Sequence, residues 1–107
     1  MDRLPVSEFQ ILLALLDGEK HGAAIRDDVE ARTAGAVVLG PGTLYTSVKR
    51  LLVRGWIREL TTEAGDIRRF YVLTRAGRVA AGAEAEALAA DLEHARRHRL
   101  IGPLRPT

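Results

Sequence analysis

The spacing of apolar residues predicts a first helix near the start of the chain. It should begin at Ser7, where Ser7 and Gln10 form a capping box, and end at Asp17-Gly18. Its apolar side chains form two sets, Phe9, Leu12, Leu13 and Leu16 on one side and Ile11 and Leu15 on the other. Because a helix that is apolar on two sides is covered on two sides, we expect other elements to pack on both.

The next segments predict a second helix, a short strand and a third helix. The second helix should span about residues 21–33 and close at Gly35, and the β-branched run at 36–39 favours one small strand. A Gly-Pro-Gly turn at 40–42 opens the third helix, which should span about residues 43–54 and stop at Gly55. Its apolar face holds Leu44, Val48, Leu51 and Leu52.

A β-hairpin and a long helix complete the pattern. The strands should lie at 56–61 and 67–73, joined by a loop at 63–66, and Thr74 should cap a helix that runs to about residue 99 before Gly102-Pro103. Such a helix is about 37 Å long, more than a domain of this size needs for its own core. It carries a coiled-coil-like seam of Ala81, Ala85, Leu88, Leu92 and Ala95, and a second stripe of Ala76, Val79, Ala83 and Ala87 that faces away from the seam.

Composition narrows the class of protein. The 107 residues fit one domain. Sixteen basic and fourteen acidic residues give a net charge of only +2. Net charge alone therefore does not indicate nucleic-acid binding, and the distribution of the charges along the chain is the relevant evidence. The absence of cysteine excludes disulfides, thiolate nucleophiles and Cys-based metal sites. The longest apolar run, 11–16, is too short to span a bilayer, and nothing resembles a signal peptide or a catalytic motif. We expect a cytoplasmic protein that is not an enzyme, with no cofactor and no membrane contact.

The third helix and the hairpin together favour binding to double-stranded DNA. The helix face opposite the apolar one carries Thr43, Thr46, Lys49 and Arg50, with Tyr45 and Ser47 on its flanks. Hydroxyls can bond to bases or phosphates, arginine can fork onto guanine, and lysine can neutralise phosphate. Arg68 and Arg69 of the hairpin could grip the adjacent backbone or minor groove, and His21 could bind phosphate at the start of the second helix.

The order of elements is that of a winged helix-turn-helix. We therefore predict a mainly α fold with a two-stranded β wing and a C-terminal dimerisation helix. Residues 1–73 should form the DNA-binding domain, and residues 74–107 the dimerisation helix and a short tail, as one continuous compact unit.

The sequence resembles the PadR family of bacterial winged-helix transcriptional regulators over about residues 7–80. The matching stretches are Ile11-Leu12-Leu13-Ala14-Leu15-Leu16, Lys20-His21-Gly22, Gly42-Thr43-Leu44-Tyr45, Arg54-Gly55 and Arg69-Phe70-Tyr71 with Leu73-Thr74 and Gly77. The resemblance implies a homodimeric repressor of a palindromic operator, dimerisation through the C-terminal helix, and contact of Tyr45 with DNA. It also suggests a small apolar effector between the subunits, for which Ile11 and Leu15 could line a cavity and join the dimer contact.

Several alternatives remain open at this stage. Lys49 and Arg50 could be a solvated helix face, Arg68 and Arg69 could merely protect a sheet edge, and Tyr45 could belong to the core. His21 could be a capping or solvent residue, and the alanine-leucine seam could be intramolecular. The winged fold could serve as a protein-interaction module without DNA. A metal-responsive regulator could use Asp91, His94 and His98, which share one helix face.

Overall fold

The computed structural model describes residues 3–61 and 65–102, and within them the chain forms four helices and a small antiparallel sheet. The helices are α1 (Val6–Ala14), α2 (Gly22–Arg32), α3 (Pro41–Val53) and α4 (Arg75–Arg97), and the strands are β1 (Lys20–His21), β2 (Ile57–Leu60) and β3 (Phe70–Leu73). This architecture confirms the predicted mainly helical class.

Helix α1 lies at the centre of the domain. It packs against α2, α3 and α4, and its residue Ile11 and the following Leu15 are 0% and 2% exposed. The prediction that α1 is covered on both sides is confirmed. The helix ends at Ala14, before the predicted Asp17-Gly18, and Leu16 is consequently exposed.

The start of α1 differs from the predicted capping box. Its N-cap is Pro5, which makes no side-chain capping bond, and the backbone N–H of Phe9 donates to the Pro5 carbonyl at 3.0 Å. Ser7 lies inside the first turn, where its Oγ accepts a hydrogen bond from Ser47 Oγ at 3.0 Å. The capping-box assignment was wrong because the Ser7 hydroxyl is used to join α1 to α3.

The sheet contains one strand that was not predicted and lacks one that was. Its order is β1-β3-β2, with Lys20 opposite Tyr71 and Ile57 opposite Leu73. The wing strands β2 and β3 are confirmed, although β3 begins at Phe70 rather than at the predicted residue 67. The strand predicted at 36–39 is wrong. There, the Val37 N–H bonds to Thr33 Oγ1 at 3.1 Å, so this segment is tied to the end of α2 and pairs with no strand.

The turn into α4 links three elements through Thr74. Its Oγ1 accepts the N–H of Gly77 at 3.0 Å, as expected of an N-cap, and donates to the carbonyl of Gly55 at 2.6 Å. The Thr74 N–H also donates to the carbonyl of Trp56 at 3.1 Å. The end of α3, the first wing strand and α4 are therefore fixed to one another at this point.

The end of α4 is set by Arg99 rather than by the predicted Gly102-Pro103. Arg99 adopts a φ of 58°, and the Leu100 N–H bonds back to the carbonyl of Ala95 at 2.9 Å. This αL turn satisfies a terminal carbonyl and closes the helix after Arg97. Pro103 lies outside the described residues.

A buried carboxylate attaches the N-terminal segment to α4. Glu84 accepts hydrogen bonds from Arg3 Nε, at 3.1 and 3.0 Å to its two oxygens, and from the Leu4 N–H at 3.0 Å. The hydrogen bond from Arg3 is the main reason that the pKa of Glu84 lies below its ordinary value, and the bond from the Leu4 N–H lowers it further. Arg3 also reaches Asp91 at 3.4 Å. The sequence pattern did not predict this clamp.

Gly77 should resist substitution although it lies in a helix. A Cβ at Gly77 would lie 1.9 Å from the carbonyl oxygen of Trp56, whereas a Cβ at Gly82 of the same helix would meet nothing. We expect Gly77→Ala to lower the free energy of unfolding by about 1–3 kcal/mol through overpacking. Gly82→Ala should raise it by about 0.5–1 kcal/mol, the usual helix gain of alanine over glycine. Urea denaturation at equal protein concentrations measures both, and equal effects would contradict the close approach of α4 to the wing.

The Glu84 clamp should make stability sensitive to acid. Because the pKa of Glu84 is lowered in the folded state, its stabilising contribution is present at neutral pH and is lost as the pH falls through the folded-state value. We expect Glu84→Gln to be less stable than the wild type at pH 7 and to approach it in acid. Thermal unfolding across this range measures the gap, with Glu86→Gln on the exposed side of α4 as the control. A gap that does not narrow in acid would contradict the clamp.

Candidate nucleic-acid interface

Helix α3 presents one polar face to solvent. It begins after the N-cap Gly40 with Pro41 in its first turn, and Val48 and Leu51 are buried against the core. The opposite side leaves exposed Thr43, Tyr45, Thr46, Lys49 and Arg50. The hydroxyl groups and cations that the sequence singled out are thus available to a ligand along this helix.

Tyr45 stands out on this surface because it is large and uncovered. Its side chain is 68% exposed, so the alternative that placed it in the core is wrong. An exposed tyrosine offers both a ring face for stacking and a hydroxyl for hydrogen bonding. A contact between Tyr45 and DNA stays a prediction.

Ser47 does not belong to the solvent-facing surface. It is 4% exposed and its Oγ donates to Ser7 Oγ at 3.0 Å across the α1–α3 contact. Its assignment to DNA binding is therefore corrected, because its hydroxyl is buried and already bonded within the protein.

A buried glutamate lies behind the exposed face of α3. Glu8 is 1% exposed, and its Oε1 accepts a hydrogen bond from Arg54 at 3.0 Å, while Arg50 approaches its Oε2 at 3.8 Å. Arg54 also stacks over the ring of Trp56 at 4.9 Å. The spacing of apolar residues did not single out this group, although the sequence carries a signal for it. Glu8 shares the helical spacing of Ile11, Leu12 and Leu15, which marks a carboxylate on a buried face.

The wing carries the second pair of cations. Arg68 bonds to Asp66 through its side chain at 3.2 Å and through its N–H at 2.9 Å, and its guanidinium lies 5.1 Å from the Phe70 ring. Arg69 lies 3.9 Å from Glu59 and is otherwise exposed. The hydrogen bonds from Arg68 hold the pKa of Asp66 below its ordinary value. Residues 63 and 64 of the predicted hairpin loop lie outside the described residues.

His21 caps α2. Its Nδ1 accepts the N–H of Ala24 at 3.3 Å, and its ring meets that of Phe70 edge-on at 5.3 Å between centroids. The capping alternative is therefore the arrangement found. Binding of phosphate by His21 stays a prediction.

A concave surface brings these elements together. A cavity of about 390 Å³ opens between the start of α2, α3 and the wing, and its lining includes His21, Tyr45, Arg68 and Arg69. Thr46, Lys49 and Arg50 lie further along α3. Four of the predicted contact residues thus share one cavity, although they come from three separate parts of the chain.

The seam of α4 is divided between the interior and the surface. Ala81 is buried in the chain's own core, whereas Leu88 and Leu92 are 37% and 44% exposed, and Ala85 is exposed as well. Ala95, the last position of the seam, is half-buried. The first turn of the seam therefore packs intramolecularly, and the rest of it continues beyond the domain.

Three residues predicted to form the dimer contact need correction. Ala81, Ile11 and Leu15 are buried within one chain and have no surface to offer a second one. Nor can Ile11 and Leu15 line an effector cavity, since they are packed in the core. An apolar groove of about 810 Å³ lies elsewhere, along the second stripe of α4, where Val79 and Ala83 face Leu4 and Trp56.

The metal alternative has no support in the geometry. Across residues 3–61 and 65–102, no group of three or more His, Asp or Glu side chains is arranged to hold a metal ion. The rings of His94 and His98 lie 4.5 Å apart, but Asp91 is engaged by Arg3. None of the described helices has the length and apolarity needed to cross a membrane.

Comparison with known proteins identifies relatives of the chain. A family model described as the transcriptional regulator PadR-like family matches residues 11–83. A transcriptional regulator from Clostridium thermocellum superposes with a TM-score of 0.76 at 23% identity, over 85% of this chain and 87% of that one. A PadR family transcription regulator from Clostridium difficile R20291 superposes with a TM-score of 0.75 at 18% identity, over 88% and 98%. No curated protein matches the chain.

One similar structure was solved with its nucleic acid. Bacillus subtilis PadR in complex with operator DNA superposes with a TM-score of 0.65 at 22% identity, over 96% of this chain and 52% of that one. The chain therefore spans about half the length of that relative. At these identities, the structural likeness establishes the winged-helix fold.

Proposed function

Because the chain belongs to the PadR-like family of transcriptional regulators, we propose that it is a homodimeric repressor that binds an inverted-repeat DNA operator. Helix α3 enters the major groove, and the wing of β2 and β3 lies against the neighbouring backbone or minor groove. The observation that carries this proposal is the uncovered polar face of α3 beside the two wing arginines.

The chemistry of α3 fits the edges of base pairs and the phosphates. A helix is narrow enough to enter the major groove of B-DNA, and its outward side chains then reach the bases. Arg50 can fork onto guanine, Thr46 can bond to either a base or a phosphate, and Lys49 can neutralise a phosphate. All three are exposed on the same side of the helix.

The wing adds contacts at a second location. Arg68 and Arg69 flank the cavity that Tyr45 borders on the α3 side. A duplex seated on α3 would pass its backbone across this cavity, where cations and a hydroxyl converge. An edge-protecting role for the two arginines explains less, because β2 and β3 pair along their whole length and the arginines precede β3.

The exposed part of α4 supports dimerisation. Leu88 and Leu92 continue the apolar stripe that begins in the core, and they are 37% and 44% exposed in the single chain. Two such helices packed about a two-fold axis would bury these leucines and place the two α3 helices to face successive turns of DNA. Repression then follows from occupation of a promoter by the bound dimer, as the family resemblance implies.

Removal of the cations of α3 should weaken DNA binding in a salt-dependent way. We expect Lys49→Ala and Arg50→Ala each to lower affinity for duplex DNA and to reduce the slope of log K against log salt by about one unit per lost phosphate contact. Fluorescence anisotropy over a salt series measures both quantities. Arg97→Ala, an exposed arginine near the end of α4, controls for net charge. Binding equal to the wild type in both α3 variants would contradict the proposal.

The dimer contact can be tested independently of DNA. We expect the double variant Leu88→Asp, Leu92→Asp to sediment as a monomer, because a contact between helices would then bury two charges on each chain. Ala90→Asp, on the opposite side of α4 by helical geometry, should leave the dimer intact. Sedimentation velocity distinguishes the two states, and a wild-type protein that sediments as a monomer would refute this part of the proposal.

A further inference from the structure

The arginines proposed to contact DNA are already paired with carboxylates of the same chain. Measured between nitrogen and oxygen, the pairs are Arg50–Glu8 at 3.8 Å, Arg68–Asp66 at 3.2 Å and Arg69–Glu59 at 3.9 Å. Lys49, by contrast, forms no ion pair with any residue that the structure describes. The three carboxylates come from α1, from β2 and from the segment before β3. Tertiary contacts bring Glu8 and Glu59 to their arginines, whereas Asp66 lies two positions before Arg68.

We propose that Glu8, Glu59 and Asp66 occupy these arginines in place of DNA phosphates and thereby limit how strongly the protein binds DNA of any sequence. The inference rests on the proposed function, since it concerns the same surface. Under this inference, three negatively charged residues that cannot themselves bind phosphate help to determine the specificity of DNA binding.

A carboxylate can substitute for a phosphate because both present oxygen acceptors and negative charge to a guanidinium. An arginine held by one must leave it to reach the other. The arginine side of every pair is well exposed, so water screens the attraction and the pairs are weak enough to exchange. Such a pair reduces the gain from a phosphate contact without preventing it.

The Glu8 site shows how exchange can occur without harm to the fold. Glu8 is buried, and one of its oxygens is held by Arg54 at 3.0 Å. Arg50 approaches the other oxygen at 3.8 Å. When Arg50 moves to DNA, the buried carboxylate keeps its stronger partner. Arg54 is thus the fixed member of the site and Arg50 the exchangeable one.

The wing holds its first arginine more firmly. Asp66 accepts bonds from the side chain and the backbone N–H of Arg68, and the guanidinium also lies over the Phe70 ring. The hydrogen bonds from Arg68 hold the pKa of Asp66 below its ordinary value, so the pairing favours the charged form of this carboxylate. Asp66 therefore partly neutralises Arg68, which weakens the attraction between Arg68 and an approaching DNA phosphate.

The consequence should differ between random and specific DNA. On random DNA, the affinity comes almost entirely from phosphate contacts, so paired arginines add little to it. On a specific site, base contacts from α3 supply part of the affinity, so binding there depends less on whether the wing arginines leave their carboxylates. The pairs should therefore weaken random binding more than specific binding and widen the ratio between the two affinities.

The wing carboxylates offer a test that spares the core. Glu59 and Asp66 are partly exposed, and the substitution Asp66→Asn keeps a side-chain oxygen that can accept the Arg68 N–H. We therefore choose Glu59→Gln and Asp66→Asn, with Glu86→Gln on α4 as the control that changes net charge equally. Anisotropy over a salt series compares a mixed-sequence duplex with a duplex selected from a random pool by the wild-type protein.

We expect both wing variants to bind the mixed duplex about two- to fivefold more tightly at low salt, the range typical of exposed ion pairs. Their salt slope should steepen by up to about one unit, and affinity for the selected duplex should rise less. If the wing variants bind like the wild type, or if Glu86→Gln raises the affinity for the mixed duplex by as much, this inference is wrong while the proposed function still stands. A wild-type protein that binds neither duplex would overturn the proposed function and this inference together.

Discussion

The apolar surface on both sides of α1 is the constraint on which the rest of the fold depends. This helix has nine residues, yet α2, α3 and α4 all pack on it. Complete burial of Ile11 and Leu12 stabilises the domain by about 1.5–3 kcal/mol for each side chain. Because Val48 and Leu51 turn the apolar face of α3 towards this core, its polar face has to point outward.

The buried carboxylate of Glu8 adds a further constraint to that arrangement. Glu8 sits on the buried side of α1 and binds Arg54 at the end of α3, and Arg54 stacks on Trp56 where the wing begins. The carbonyl of Trp56 in turn receives the N–H of Thr74 at the start of α4. Because Glu8 is buried, removal of Arg54 would leave its carboxylate without its closest partner, so this chain of contacts fixes the angle between α3 and the wing.

Features with a local cause were predictable from the sequence, and those with a distant cause were not. Thr74 as the cap of α4 follows from its neighbours alone. Ser7 fits a capping box equally well, but its hydroxyl bonds to Ser47, 40 positions away. Strand β1 exists only because β3 passes beside it, with Lys20 opposite Tyr71. The run at 36–39 has the composition of a strand and no strand beside it.

In the candidate site too, features with a local cause were predictable and features with a distant cause were not. Helical periodicity correctly predicted that Lys49 and Arg50 face solvent, because exposure on a helix follows from the spacing of its apolar residues. It could not predict that Glu8 and Glu59 lie opposite arginines, because tertiary contacts bring them there, whereas Asp66 is a sequence neighbour of Arg68. In α4, periodicity predicted the seam, but the packing of the other elements decides where its covered part ends. The buried positions of α4 are Gly77, Ala81 and Glu84. The seam continues past them to Leu88 and Leu92, so the part of α4 beyond the core keeps an exposed apolar surface.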